Sequence, residues 1–294
     1  KVFHENMGKS PFSKGDKMKK SNFEIVMSDG CRISCDVKGD GQPIVFVHGW
    51  SANCKFFSQQ VEHLSKNFMV VTYDLRGHGN SDKRMSILEK NLTIERFALD
   101  LKEIIEALNL DSVHLCGWSM GVSILLSYVE QFGHKYTKSL TLIDMTPKLI
   151  NDDSWNLGDF DAEENLKFTQ SLAVDWKNVS DEMVESLFAR SIDKNSSKYL
   201  WVKDQAAGNI PFVMVTLWIS MALGDYRDVL HKISVPTYLP YSNGGDMYNE
   251  NHGKYMHRNI KNSKLSIYEN CGHSLFLEEP DRFNSEYENF ILSI

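Results

Sequence analysis

One stretch constrains the fold more than any other: Val113-His114-Leu115-Cys116-Gly117-Trp118-Ser119-Met120-Gly121. An apolar run leads into Gly-x-Ser-x-Gly, and a longer apolar segment, Val122 to Val129, leads out. The pattern predicts a buried strand, a very tight turn carrying a serine, and a helix that begins at once. Side chains two residues before or after that serine would crowd the turn. Glycine, lacking a Cβ, is what fits at 117 and 121. The serine itself is expected in a strained backbone conformation at the top of the turn.

The rest of the chain reads outward from there. Asn22 to Met27 and Arg32 to Val37 alternate apolar and polar residues across Ser28-Asp29-Gly30, a β-hairpin signal. Ile44-Val45-Phe46-Val47 is a continuous apolar strand ending in His48-Gly49-Trp50, as suits the middle of a mostly parallel sheet. Residues 53–66 suggest a helix, and Phe68 to Tyr73 the next strand. Between Thr93 and Leu108, apolar residues at 94, 97, 101, 104, 105 and 108 line one helical face. Further strands are expected at Leu140–Ile143, Thr237–Tyr241 and Leu265–Tyr268, with helices at Glu250–Asn259 and from about Asp281. This alternation predicts an α/β chain: a doubly wound, mostly parallel sheet with an antiparallel hairpin at its start. Lys148 to about Tyr226 breaks the pattern. It lacks strand signals and holds four of the six tryptophans, Trp155, Trp176, Trp201 and Trp218, so an inserted helical cap is expected. The expected layout is a leader over residues 1–17, a core domain over 18–147 and 227–294, and a cap over 148–226.

Composition excludes several functions. The 294 residues carry a net charge of −7, which argues against nucleic acid or an anionic membrane as partner. Five cysteines, an odd number without framework spacing, read as free thiols of a reducing, cytoplasmic setting. Cys31 and Cys35 are spaced like half a metal site, but no second Cys/His pair accompanies them, and neither a metal nor an organic cofactor is expected. The polar start of the chain has no signal-peptide core, and Met18 looks like a natural start. Pro211 to Leu223, the longest nearly apolar stretch, is too short to span a bilayer.

In open α/β sheets, functional residues gather at the C-terminal ends of strands. Those positions hold His48-Gly49-Trp50, Asp74, Ser119, Asp144, the Gly244-Gly245-Asp246 turn and His273. The set contains a serine, carboxylates and a late histidine, in the chain order nucleophile, acid, base. Together with Asp74-Leu75-Arg76-Gly77-His78-Gly79-Asn80-Ser81-Asp82 and Asn270-Cys271-Gly272-His273, these segments resemble the α/β-hydrolase fold family over nearly the whole chain from Asn22. His-Gly-Trp with Gly-Trp-Ser-Met-Gly looks most like its capped serine carboxylesterases, including the pimeloyl-carrier-protein methyl esterases.

That resemblance implies a cofactor-independent serine hydrolase acting on small carboxylic esters. Ser119 would be the nucleophile and His273, on a glycine-flanked loop able to swing over the serine, its base. The oxyanion would be held by the amides of Met120, at a helix start, and Trp50. Trp118, Trp218 and Phe212 are expected to wall the substrate pocket. Two acids remain open. The family's usual count from Pro236 falls on Gly245, one residue before Asp246, whereas Asp144 ends the preceding strand, a position some members use. His48, His78, Asp74 and Asp82 would shape loops. Serine-based lactonases, thioesterases, carbon–carbon hydrolases and perhydrolases share the triad, and a triad-bearing small-molecule sensor is the alternative of another class.

Overall fold

The computed structural model describes residues 19–294; the expected leader over 1–17 and Met18 lie outside them. Eight strands form one sheet: β1 Lys19–Val26, β2 Arg32–Lys38, β3 Pro43–Val47, β4 Met69–Tyr73, β5 Val113–Trp118, β6 Thr137–Ile143, β7 Thr237–Ser242 and β8 Ser263–Tyr268. Their order is β1-β2-β4-β3-β5-β6-β7-β8. β2 runs against both its neighbours, β1 and β4, and every other pairing is parallel. The β1–β2 turn closes through the Gly30 amide to Met27 (2.8 Å), with Gly30 at φ 81°.

Period-two alternation distributes the core to the two faces of the sheet. Val45 and Val47 of β3 join one apolar cluster, and Ile44 and Phe46 join the other. All five β3 residues and all six of β5 are buried, as continuous apolar strands in the middle of a parallel sheet must be. The major helices of the first half are α1 Ser58–Leu64, α2 Ile94–Ala107 and α3 Met120–Phe132. α2 starts where the Thr93 hydroxyl accepts the Arg96 amide. The face expected from its spacing, from Ile94 to Leu108, is buried at every apolar position.

Between β6 and β7 the chain leaves the sheet and forms α4 Ala162–Val174, α5 Trp176–Ser186, α6 Ser197–Ala207 and α7 Pro211–Ala222. An isolated bridge between Lys148 and Asp225 joins the two ends of this excursion. Phe168 of α4 packs on Trp218 of α7 with ring centroids 4.6 Å apart. Polar bonds then fasten the helices to the sheet: Trp50 Nε1 donates to Met214 O (3.0 Å), and Asn209 Nδ2 to Ser51 O (2.7 Å). α8 Glu250–Asn259 and α9 Pro280–Leu292 complete the fold. Among the described residues no single helix is long and apolar enough to cross a membrane.

The strand order decides where a ligand site can form. From β3 the chain moves to one side, to β4, then returns to β5 on the other side of β3. In open α/β sheets this reversal leaves a crevice beyond the strand ends. β3 delivers His48 to Trp50 to that crevice, and β5 delivers Trp118 and Ser119.

Candidate active site

Ser119 occupies the turn between β5 and α3 at φ 56°, ψ −122°. A non-glycine residue at positive φ carries strain of order 1–3 kcal/mol, held in place only by its surroundings. Those surroundings are tight. A Cβ on Gly121 would lie 2.2 Å from Val47 O, and one on Gly117 would lie 2.6 Å from Gly121 O. Both obstacles are backbone, so neither can rotate away. Gly121→Ala is expected to cost about 1–3 kcal/mol or more, by the logic of overpacking, read as a lowered urea midpoint together with reduced activity. A midpoint equal to wild type would show that the turn is looser than these contacts imply.

Serine is a favoured helix N-cap, yet the Ser119 hydroxyl makes no capping bond to α3. It faces a cavity of about 580 Å³ that His273 also lines. His273 Nδ1 lies 2.9 Å from Asp144 Oδ2, with both residues almost fully buried. Its other nitrogen, Nε2, has no partner among the described residues. A carboxylate on Nδ1 fixes the tautomer that leaves Nε2 as a free base, the arrangement a serine hydroxyl needs.

Asp144 is itself fixed. It sits at φ 49° just beyond β6, where it accepts the Ser242 amide (2.8 Å) and the Ser242 hydroxyl (2.9 Å) from the end of β7. Asp246 goes elsewhere. Its side chain is 65% exposed and pairs with Arg190 (2.6 Å) at the cavity mouth, with no bond to His273. The β7 loop that carries it therefore directs it to the surface, and of the two acids left open by the sequence only Asp144 meets the histidine.

The loop holding His273 is strapped down, contrary to the expectation of a mobile one. Glu278 accepts the Gly272 amide (2.7 Å) and the Ala189 amide (3.0 Å). Ser274 bonds Leu187 O through both its amide and its hydroxyl. Trp118 Nε1 donates to His273 O (2.9 Å), and its ring packs beside the imidazole. Trp118, the residue before the serine, thus positions the histidine as well as lining the cavity.

The Met120 amide opens α3, where the helix supplies it no acceptor. The Trp50 amide makes no hydrogen bond among the described residues. Its segment packs directly on the serine: a Cβ on Gly49 would stand 3.1 Å from Ser119 Cβ. Trp50, Trp118 and Trp218 line the cavity. Phe212 does not. α7 buries Val213, Met214, Leu217, Trp218 and Met221, and Phe212 points away from that face, 46% exposed.

The loop histidines are not competing bases. His48 Nε2 accepts the Leu75 amide (3.0 Å) and Nδ1 lies 2.8 Å from Gly49 O, so both nitrogens are occupied. Burial keeps His48 below the usual imidazole range and, with His48 alongside, pushes His78 down to about 3. Asp74 accepts the Cys54 and Asn80 amides, and Asp82 pairs with Arg84, so both hold loops. Four residues escaped the sequence reading: Ser242, which orients Asp144; Glu278, which anchors the histidine loop; and Asp159 with Tyr248, in the cavity wall. None lies in a periodic pattern that would have marked it.

The alpha/beta hydrolase fold family model matches residues 42–280, and the chain belongs to this family of hydrolases. Its relatives include 3-oxoadipate enol-lactonase 1 of Acinetobacter baylyi, 25% identical over 92% of this chain and 97% of that protein. A pimeloyl-[acyl-carrier protein] methyl ester esterase of Nitrosomonas europaea is 24% identical over 87% of this chain and 98% of its own length. Among solved structures, the esterase EaEST of Exiguobacterium antarcticum superposes with a TM-score of 0.85 at 26% identity, covering 92% of this chain and 99% of that one.

Proposed function

We propose that the protein is a serine esterase that hydrolyses small carboxylic esters through Ser119, His273 and Asp144. The observation that carries this reading is the buried His273–Asp144 bond, which leaves Nε2 unpartnered among the described residues, in the same cavity as a strained serine whose hydroxyl does not cap its helix. Ser119 Oγ attacks the ester carbonyl as His273 Nε2 takes its proton. The tetrahedral oxyanion is stabilised by the Trp50 and Met120 amides, aided by the positive end of α3. The imidazolium, stabilised by Asp144, returns its proton to the departing alcohol. Water activated by the same nitrogen then releases the acid and restores the serine.

Residues 148–226 act in this reading as a cap that closes the cavity with Phe160, Phe168 and Trp218, an apolar wall suited to a small organic ligand. An esterase and an enol-lactonase among the relatives both fit an acyl-transfer site of this kind. Labelling with a fluorophosphonate probe, followed by peptide mapping, tests the assignment. The adduct is expected on Ser119 and absent from His273→Ala. Labelling elsewhere, or equal labelling of the histidine variant, would sink it.

A further inference from the structure

The cavity over Ser119 is one-sided in charge. Its lining holds Asp159, Glu182 and Asp246 but, among the described residues, no lysine or arginine. Arg190 neutralises Asp246 at the mouth. Among the described residues Asp159 has no such partner: its one side-chain hydrogen bond there comes from the Tyr248 hydroxyl, 2.8 Å from Oδ2. Oδ1 accepts no hydrogen bond among the described residues. Tyr248 packs against the rings of both His252 and His273, each with centroids 5.1 Å away. His252 brings no compensating charge, because its Nδ1 accepts the Asn249 amide (3.2 Å) and burial keeps it below the usual imidazole range. His273 is already matched to Asp144.

A carboxylate placed in such a wall is normally paired. Burial raises the Asp159 carboxyl to about 6, with Asp144 pushing the same way and Tyr248 and His273 opposing. The carboxylate form predominates above about pH 6, and among the described residues no lysine or arginine shares the cavity lining with it. The covering segment shares the bias, with thirteen Asp and Glu against seven Lys and Arg between Lys148 and Tyr226.

We propose that Asp159, held by Tyr248, selects the substrate at this site: it takes esters whose far end carries an ammonium or a similar cationic hydrogen-bond donor, and turns away those ending in a free carboxylate. This inference rests on the ester-hydrolysing reading and adds the substrate class to it. Like charges a few ångströms apart in a partly desolvated pocket repel, and opposite charges attract, strongly enough for discrimination of about 10- to 100-fold.

The test uses methyl esters of matched chain length ending in methyl, hydroxyl, ammonium or carboxylate. In wild type, kcat/KM for the ammonium ester is expected to exceed that for the carboxylate ester by at least about tenfold. Asp159→Asn keeps the size and the Tyr248 contact but removes the charge, so the preference should collapse to about twofold or less. The wild-type ratio of ammonium to methyl ester should also climb as pH rises through about 6, as the carboxylate forms. An unchanged order in Asp159→Asn, or a wild-type preference for the carboxylate ester, would overturn the proposal. Titration with matched alkylammonium and alkylcarboxylate ions, followed by the fluorescence of Trp50, Trp118 and Trp218, separates the two readings. Asp159-dependent ammonium binding without turnover of any ester would remove the esterase reading and leave Asp159 as the group that recognises the cation. Equal binding of both ions would remove that role.

Discussion

Replacing Ser119 with alanine is expected to lower kcat for p-nitrophenyl butyrate by about 10⁶, to the level of the uncatalysed background plus whatever the amides and binding contribute. The structure makes this a clean experiment. Among the described residues the serine hydroxyl neither caps α3 nor bonds another side chain, so its removal should delete chemistry and little else. Alanine keeps the Cβ that already tolerates φ 56°, and a change of this kind should move stability by no more than about 0.5 kcal/mol. The measurement is therefore paired: turnover and urea midpoint on the same preparations. A variant that retains turnover within tenfold of wild type, at an unchanged midpoint, would show that Ser119 is not the nucleophile. Equal, background-level rates in both proteins would instead favour a binding module that has kept the residues of a triad.

How much of this site could be read from the chain depends on how local each constraint is. The elbow was legible because part of its constraint is short-range: Gly117 is glycine since Gly121 O stands 2.6 Å from where a Cβ would go, and any strand–serine–helix turn this tight imposes the same demand. The sheet and α2 were legible for different reasons: β3 as an unbroken apolar run buried on both faces, and α2 because its buried positions recur every three or four residues. Other features depend on long-range placement. In Pro211–Ala222 nearly every position is apolar, so the sequence carries no marker for the side that faces the cavity, and Phe212 could not be told from Trp218. Asp159 sits in a loop without periodicity, and its chemistry comes from Tyr248, 89 residues away. For the acid, two strand ends offered a carboxylate. Only the direction in which each loop turns its side chain separates them, and Ser242, which directs Asp144, is 98 residues distant in the chain.

That geometric distinction has a large kinetic consequence. Asp144→Asn should lower kcat by about 10⁴ while leaving KM for a neutral ester nearly unchanged, because an amide at this position supports the wrong imidazole tautomer and cannot stabilise the imidazolium. The Ser242 amide can still donate to the asparagine oxygen, and size is preserved, so the fold should survive. Asp246→Asn removes only an exposed pair with Arg190, and such pairs contribute about 0–1 kcal/mol. Its effect on the same neutral ester should stay within about twofold. The ester must be uncharged, since Asp246 stands at the cavity mouth and its loss could alter KM for a charged substrate without touching the histidine. The opposite ranking, with Asp246→Asn inactive and Asp144→Asn nearly normal, would mean that in solution the β7 loop turns inward and carries the acid to His273. Comparable losses in both would point to a shared structural effect, which the urea midpoints of the two variants would reveal. Because His273 Nδ1 already meets Asp144 Oδ2 at 2.9 Å, with the Ser242 amide on Oδ1 and the Ser242 hydroxyl on Oδ2 holding the carboxylate, the first ranking requires no rearrangement of any loop.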